Sequence, residues 1–143
     1  MLSDLVSEIE PGRCAIVVDQ SLPVGRAANA AAVIALTMGK IHPELAGVDL
    51  IDGSGLAHPG LIPIGISVLG ATAEELKALR EKATSREISV VDFPIQGQQT
   101  NDYSAFGSAV ALVETKELSY VGVGLYGSRK VVGKIVGKFG FLK

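Results

Sequence analysis

Four times along this chain, a short apolar run suited to a buried strand is followed by apolar residues at helical spacing. Arg13 to Val18, ending at Asp19, reads as a strand covered on both faces. Val24, Ala27, Ala28, Ala31, Ala35 and Met38 then recur at the helix period. Ser21 can cap that helix, Pro23 suits its first turn, and Gly39 is expected to stop it. Ile62, Ile64, Ile66 and Val68 alternate with Pro63, Gly65, Ser67 and Leu69, a period-2 strand whose proline points to an edge or an early position. Thr72 and Glu75 supply a capping box to TAEELKALREKA, whose apolar stripe is Leu76, Leu79 and Ala83. Ile88 to Phe93 is a third strand, ended by Pro94, and Asp102 can cap a helix carrying Tyr103, Phe106, Val110 and Val113. Leu118 to Leu125 is a fourth strand, and Ser128 caps a last helix with Val131, Val132, Ile135 and Val136. Strand and helix in regular alternation predict an α/β domain, a three-layer α/β/α sandwich around a central mixed sheet of four to five strands.

At 143 residues the chain is expected to be one domain spanning 1–143, and 48% hydrophobic residues give it enough apolar material for a core. Cys14, inside CAIVV, reads as a small buried hydrophobe rather than a nucleophile. The first residues carry Asp4, Glu8 and Glu10 in place of a basic signal region, and no apolar run reaches the roughly 18 residues needed to span a bilayer. A soluble, cytoplasmic protein with no membrane partner is expected. The formal charge of −2 argues against a strongly cationic nucleic-acid binder. Locally the balance differs, because Arg129, Lys130, Lys134, Lys138 and Lys143 follow Ser128 without one acid. That run could touch phosphates, but a solvated helix face is the commoner reading, and no interleaved aromatics offer stacking platforms for bases. His42 and His58 each precede a proline and have neither a cysteine partner nor His-x-x-x-His spacing, so neither a metal nor a cofactor is expected.

The stretch GVGLYG, Gly122 to Gly127, fits the letters of the dinucleotide fingerprint. The fingerprint works only when its glycines open a βαβ unit with an acidic residue about 20 residues on. Only 16 residues follow Gly127 and none is acidic, so Gly122 and Gly124 read as small strand residues that let a helix pack closely.

Candidate chemistry lies at the end of the first strand. Arg26 and Asn29, three apart, share a face of the first helix beside that strand end, and the polar loop QGQQTND follows the third strand. The segments CAIVVDQSLPVGRAANAAA, TAEELKALREKATSREISVVDF and GVGLYGSRKVVGKIVGKFGFL together resemble the type-two peptidyl-tRNA hydrolases, with residues 95–117 as an inserted helical segment. VVDQSLPVGRAANAAA, PELAG, HPG and ELSYVGVGLYG resemble, more narrowly, the domain-of-unknown-function family 2000, which is taken to share that hydrolase fold. The hydrolase resemblance implies the hydrolase fold, a homodimer and contact with tRNA. The hydrolases' lysine-rich turn is shortened here to Val24-Gly25-Arg26, Asn29 stands where a glutamine would, and Phe93-Pro94 follows Asp92 in place of Ala-Gly. Arg26 keeps the positive charge but cannot exchange a proton near neutral pH.

Two readings of this mouth follow. In the first, a binding module, Arg26, Asn29, Gln99 and Thr100, with Gly25 in the turn, hold a small anionic or amide-bearing ligand. In the second, a hydrolase or acyl-transfer enzyme, Arg26 binds an anionic group, Asn29 donates to an oxyanion, and Asp92 or Asp19 is the general base. Both carboxylates sit near strand ends, where each could instead cap a turn.

Overall fold

The computed structural model describes residues 12–143. The acidic positions Asp4, Glu8 and Glu10 lie outside the described residues. Strand β1 (Gly12–Asp19) is buried along its centre on both sides, and helix α1 (Val24–Ile41) follows it. A short hairpin, β2 (Leu50–Ile51) with β3 (Ala57–His58), precedes β4 (Ile66–Ala71) and α2 (Ala73–Thr84). The chain continues through β5 (Ser89–Pro94), α3 (Tyr103–Ala111), β6 (Tyr120–Ser128) and α4 (Arg129–Val136).

Four strands form the central sheet in the order β4-β1-β6-β5. The β1–β4 pair is parallel, from Cys14 opposite Ile66 to Asp19 opposite Ala71, whereas β6 runs antiparallel to both β1 and β5. The sheet is therefore mixed, and β5 points the same way as β1. Side-chain alternation along β1 sorts the core into two layers. Ala15 and Val17 face a cluster with Leu76, Leu79 and Ala83 of α2 and Val132, Ile135 and Val136 of α4. Ile16 and Val18 face Ala27, Ala30 and Ile34 of α1, with Phe106 of α3 packed against that layer. Helices thus cover both faces, as strand–helix alternation requires.

GVGLYG lies wholly within β6, so its glycines form no phosphate-binding turn. A methyl group at Gly122 or Gly124 would run into the Ile34 side chain, so these glycines set how closely α1 approaches the sheet. Fully burying a side chain of Ile34's size contributes roughly 1.5–3 kcal/mol, and the two glycines make that burial possible.

Local capping follows the expected residues at three helices. Thr72 and Glu75 close a capping box on α2, Asp102 Oδ1 accepts from the Ser104 and Ala105 N–H groups, and Ser128 Oγ accepts from the Val131 N–H. The start of α1 differs. Its N-cap position is Pro23 with no side-chain cap, because the Ser21 N–H and hydroxyl both donate to Asp19 Oδ1, at 2.9 and 2.7 Å. Nor does Gly39 end α1, which runs on to Ile41 until the His42 N–H closes on the Met38 carbonyl at 2.9 Å. A glycine inside a helix costs only about 1 kcal/mol, and the buried Met38 holds that last turn on the sheet.

Strand bounds also shift. The alternation from Ile62 to Gly65 forms no ladder, and β4 begins at Ile66, where β1 offers Cys14 as a partner. The last strand starts at Tyr120 and extends to Ser128, paired on both sides. Strand β2 is only two residues long. Its turn is held by Asp52 Oδ1, which accepts from the Ser54 and Leu56 N–H groups, and by Gly55, whose φ of +85° suits glycine.

Candidate functional site

Because β1 and β5 point the same way, their C-terminal ends and the start of α1 meet at one end of the sheet. Leaving β5, residues Ile95–Gln98 make a 3₁₀ turn, anchored by the Ile95 N–H on the Ser119 carbonyl at 3.0 Å. Gly97 lets that turn pass beside Phe93 and Phe106, since a Cβ there would strike both rings. Gln98 then reaches across to α1. Its Nε2 donates to the Arg26 carbonyl at 2.8 Å and to Asn29 Oδ1 at 3.1 Å, joining residues 72 and 69 positions apart. With its oxygen engaged, Asn29 has its NH₂ left to donate.

Beside this clamp lies a cleft of about 460 Å³ between α1 and the segment leading into α3. Val33, Phe93 and Phe106 give it an apolar floor, while Asn29, Thr37 and Thr100 contribute polar groups. Thr100 Oγ1 accepts from the Asp102 N–H at 3.1 Å, and the Asp102 carboxylate is occupied at the start of α3. A preformed concave site with an apolar floor and a few fixed polar groups is the usual form of a small-molecule site.

The structure brings some of the expected residues together and separates others. Asn29, Thr100 and Asp92 all line the cleft, although the Asp92 carboxylate is engaged elsewhere. Arg26 is exposed one turn before Asn29, with its carbonyl bound by Gln98, and Gly25 is exposed in the same first turn. Gln99 is exposed next to the clamp, outside the cleft lining. Asp19 closes the turn after β1 through Ser21. The Asp92 carboxylate points to the other side of β5 from Val91 and Phe93, which pack in the α1 layer. There its Oδ2 accepts from Arg80 Nε of α2 at 3.0 Å, and the guanidinium lies 6.0 Å from the centre of the Tyr120 ring. Burial of Tyr120 pushes its hydroxyl pKa up. Burial likewise raises the Cys14 thiol, which keeps it neutral and unreactive. Gln98, the residue that builds the clamp, sits one position from the expected Gln99, and nothing in QGQQ distinguishes which glutamine turns inward.

Among the described residues, no three His, Cys, Asp or Glu side chains stand where they could hold a metal ion, and no helix is long and apolar enough to cross a membrane.

An α/β domain built on a four-stranded mixed sheet, with helices on both faces and a cleft beside the β1–β5 end, is the class these observations define. The chain belongs to the family described as protein of unknown function (DUF2000), which matches residues 12–143. It is similar to the solved structure of a protein of unknown function from Agrobacterium tumefaciens, with a TM-score of 0.85 and 20% identity, covering 93% of this chain and 98% of that one. At that identity the likeness shows the fold alone. No curated protein matches the chain.

Proposed function

We propose that the cleft binds a small amide-bearing or anionic ligand and that the protein is a binding module at this site. The observation that carries the reading is the Gln98 clamp. By taking the Asn29 oxygen it fixes which way that amide faces and offers the Asn29 NH₂ to an acceptor on the ligand. The Thr100 hydroxyl and the Thr37 side chain add polar contacts, and Val33, Phe93 and Phe106 supply apolar area. An anionic end of the ligand reaches Arg26 at the rim, with Gly25 leaving room beside it and Gln99 exposed next to the clamp. Engagement of Asp92 by Arg80 and of Asp19 by Ser21 favours binding over acid–base work here. Segment 95–117 is read as an insertion in a domain of the type-two peptidyl-tRNA hydrolase kind, and it builds one wall of the cleft. The test is a thermal-shift screen of small amides and carboxylates against the protein and its Asn29→Ala and Arg26→Ala variants. Compounds that stabilise the protein should lose about tenfold or more in affinity with Asn29→Ala, and Arg26→Ala should weaken only the anionic ones. Binding undiminished in Asn29→Ala, or no stabilising compound at all, would refute the reading.

We also read the protein as a homodimer. A large exposed apolar patch marks an interaction surface, and the hairpin β2–β3 and its flanks expose Val48, Leu50, Ile51, Leu56 and Leu61 within one short stretch of chain. Its two short strands retain free edges, and pairing of such an edge with its own copy is an isologous contact.

A further inference from the structure

At the opposite end of the sheet from the cleft, a second group of polar side chains converges. Ser89 opens β5, about 17 Å of strand from Pro94 at roughly 3.3 Å per residue, and His42 sits where α1 ends. His42 Nε2 lies 2.7 Å from Ser89 Oγ, and Nδ1 lies 2.9 Å from Glu44 Oε1. The chemistry of the partners fixes the roles. An ionised Glu44 only accepts, so Nδ1 carries the hydrogen. The Nε2 of the neutral ring is then the acceptor, and the Ser89 hydroxyl donates to it. The order hydroxyl, imidazole, carboxylate is that of an activated serine nucleophile.

Packing holds the imidazole in place. The Tyr126 ring lies 4.7 Å from it, tilted by 58°, and Tyr126 is directly opposite Ser89 in the β5–β6 ladder. Gly12 makes room for that tyrosine, because a Cβ at residue 12 would collide with its ring. Glu44 lies in the 3₁₀ turn Pro43–Leu45, which directly follows His42 and places its backbone, while its carboxylate stays mostly exposed to water. Ser89 is half-buried and lies on β5, an edge strand of the sheet.

We propose that Ser89, His42 and Glu44 form an acyl-transfer site, with Ser89 the nucleophile, His42 the general base and acid, and Glu44 a positioning residue, acting on small uncrowded carboxylic esters. Ser89 Oγ bonds to the ester carbonyl carbon as its proton passes to His42 Nε2. The bond from that carbon to the alcohol oxygen breaks, and the alcohol leaves with the proton from Nε2. Water then attacks the acyl-serine, gives its proton to Nε2, and releases the carboxylic acid as Ser89 Oγ takes the proton back. No oxidant, metal or cofactor enters the balance.

The experiment is labelling of the whole protein with a fluorophosphonate probe, read by intact mass and peptide mapping, alongside hydrolysis of p-nitrophenyl acetate. One adduct, on the peptide containing Ser89, is expected. Ser89→Ala should abolish both the adduct and the hydrolysis, and His42→Gln should slow labelling by about a hundredfold. Glu44→Gln should slow it by about tenfold and Glu44→Asp should restore much of the rate, a rescue that a purely structural hydrogen bond would not produce. Ser89→Cys keeps the size of the side chain, and its thiol should be alkylated by iodoacetamide faster with His42 present than in the Ser89→Cys, His42→Gln double variant. An unlabelled Ser89 under conditions that saturate a known serine esterase would overturn the proposal. So would labelling of the wild-type serine, or alkylation of the Ser89→Cys thiol, that is unchanged by loss of His42. None of these variants touches the cleft, so ligand binding there stands or falls separately.

Discussion

The central sheet and the hairpin arm are built from the same kinds of residue and end in opposite surroundings. Val17, Val18 and Leu125 are fully buried, whereas Val48 is 87% and Leu61 69% exposed. In the middle of the sheet, apolar side chains have ladder partners beside them and helices above them. In the arm, polar groups set the shape: Asp52 Oδ2 meets His58 Nε2 at 2.8 Å, and Asp49 Oδ1 accepts from the Gly60 N–H at 3.0 Å. An apolar residue therefore reports that a surface wants covering, without saying whether the cover comes from its own chain.

The largest expected effect is in the sheet. Ile34→Ala removes the side chain that fills the space over Gly122 and Gly124, and it should cost about 2–5 kcal/mol in denaturant unfolding. A loss below about 1 kcal/mol would mean that α1 packs no more tightly than the arm does. Adding a methyl from the other side, Gly124→Ala should cost about 1–3 kcal/mol by overpacking. Combined with Ile34→Ala it should cost much less than the sum of the two, because the smaller side chain vacates the space the methyl needs. Strict additivity would refute the close-approach account.

In the arm, Leu50→Ser with Leu56→Ser should change unfolding stability by no more than about 0.5 kcal/mol at high dilution, yet shift the sedimentation coefficient at micromolar concentration from dimer to monomer. A wild-type protein that sediments as a monomer at every concentration would end the second-copy reading. The smallest effect is that of acid. The His58 contact first, and then the backbone donors Leu56 and Ser54, hold the Asp52 carboxyl below its ordinary value. The folded-state value is depressed, so the stabilisation is fully present above the unfolded value near ~4 and is lost as pH falls through the folded one. Hydrogen exchange at Ser54 and Leu56 should therefore accelerate in acid before exchange in β1 or β6 does. Simultaneous loss of protection in both would show that the arm and the sheet unfold as one unit.

What the sequence determined by itself is everything enforced within a few residues. Thr72 and Glu75 cap α2, Asp102 caps α3 and Ser128 caps α4 because a side chain can reach only the backbone donors two or three positions on. The apolar run of β1 was legible for a related reason, since a strand covered on both faces has no polar side to interrupt it. Period alone could not settle where a strand begins. Ile62 to Gly65 alternates as well as Ile66 to Leu69, and only the pairing with Cys14 decides between them.

The candidate sites belong to the tertiary structure. Gln98 meets Asn29 across 69 positions and His42 meets Ser89 across 47, and Asp92 turns to Arg80 because of the face of β5 on which it falls. Each contact depends on which strands are neighbours and which way they run. Strand order is fixed only when two helix layers close over the sheet, because the free energy that selects it comes from burying both faces together rather than from any single segment.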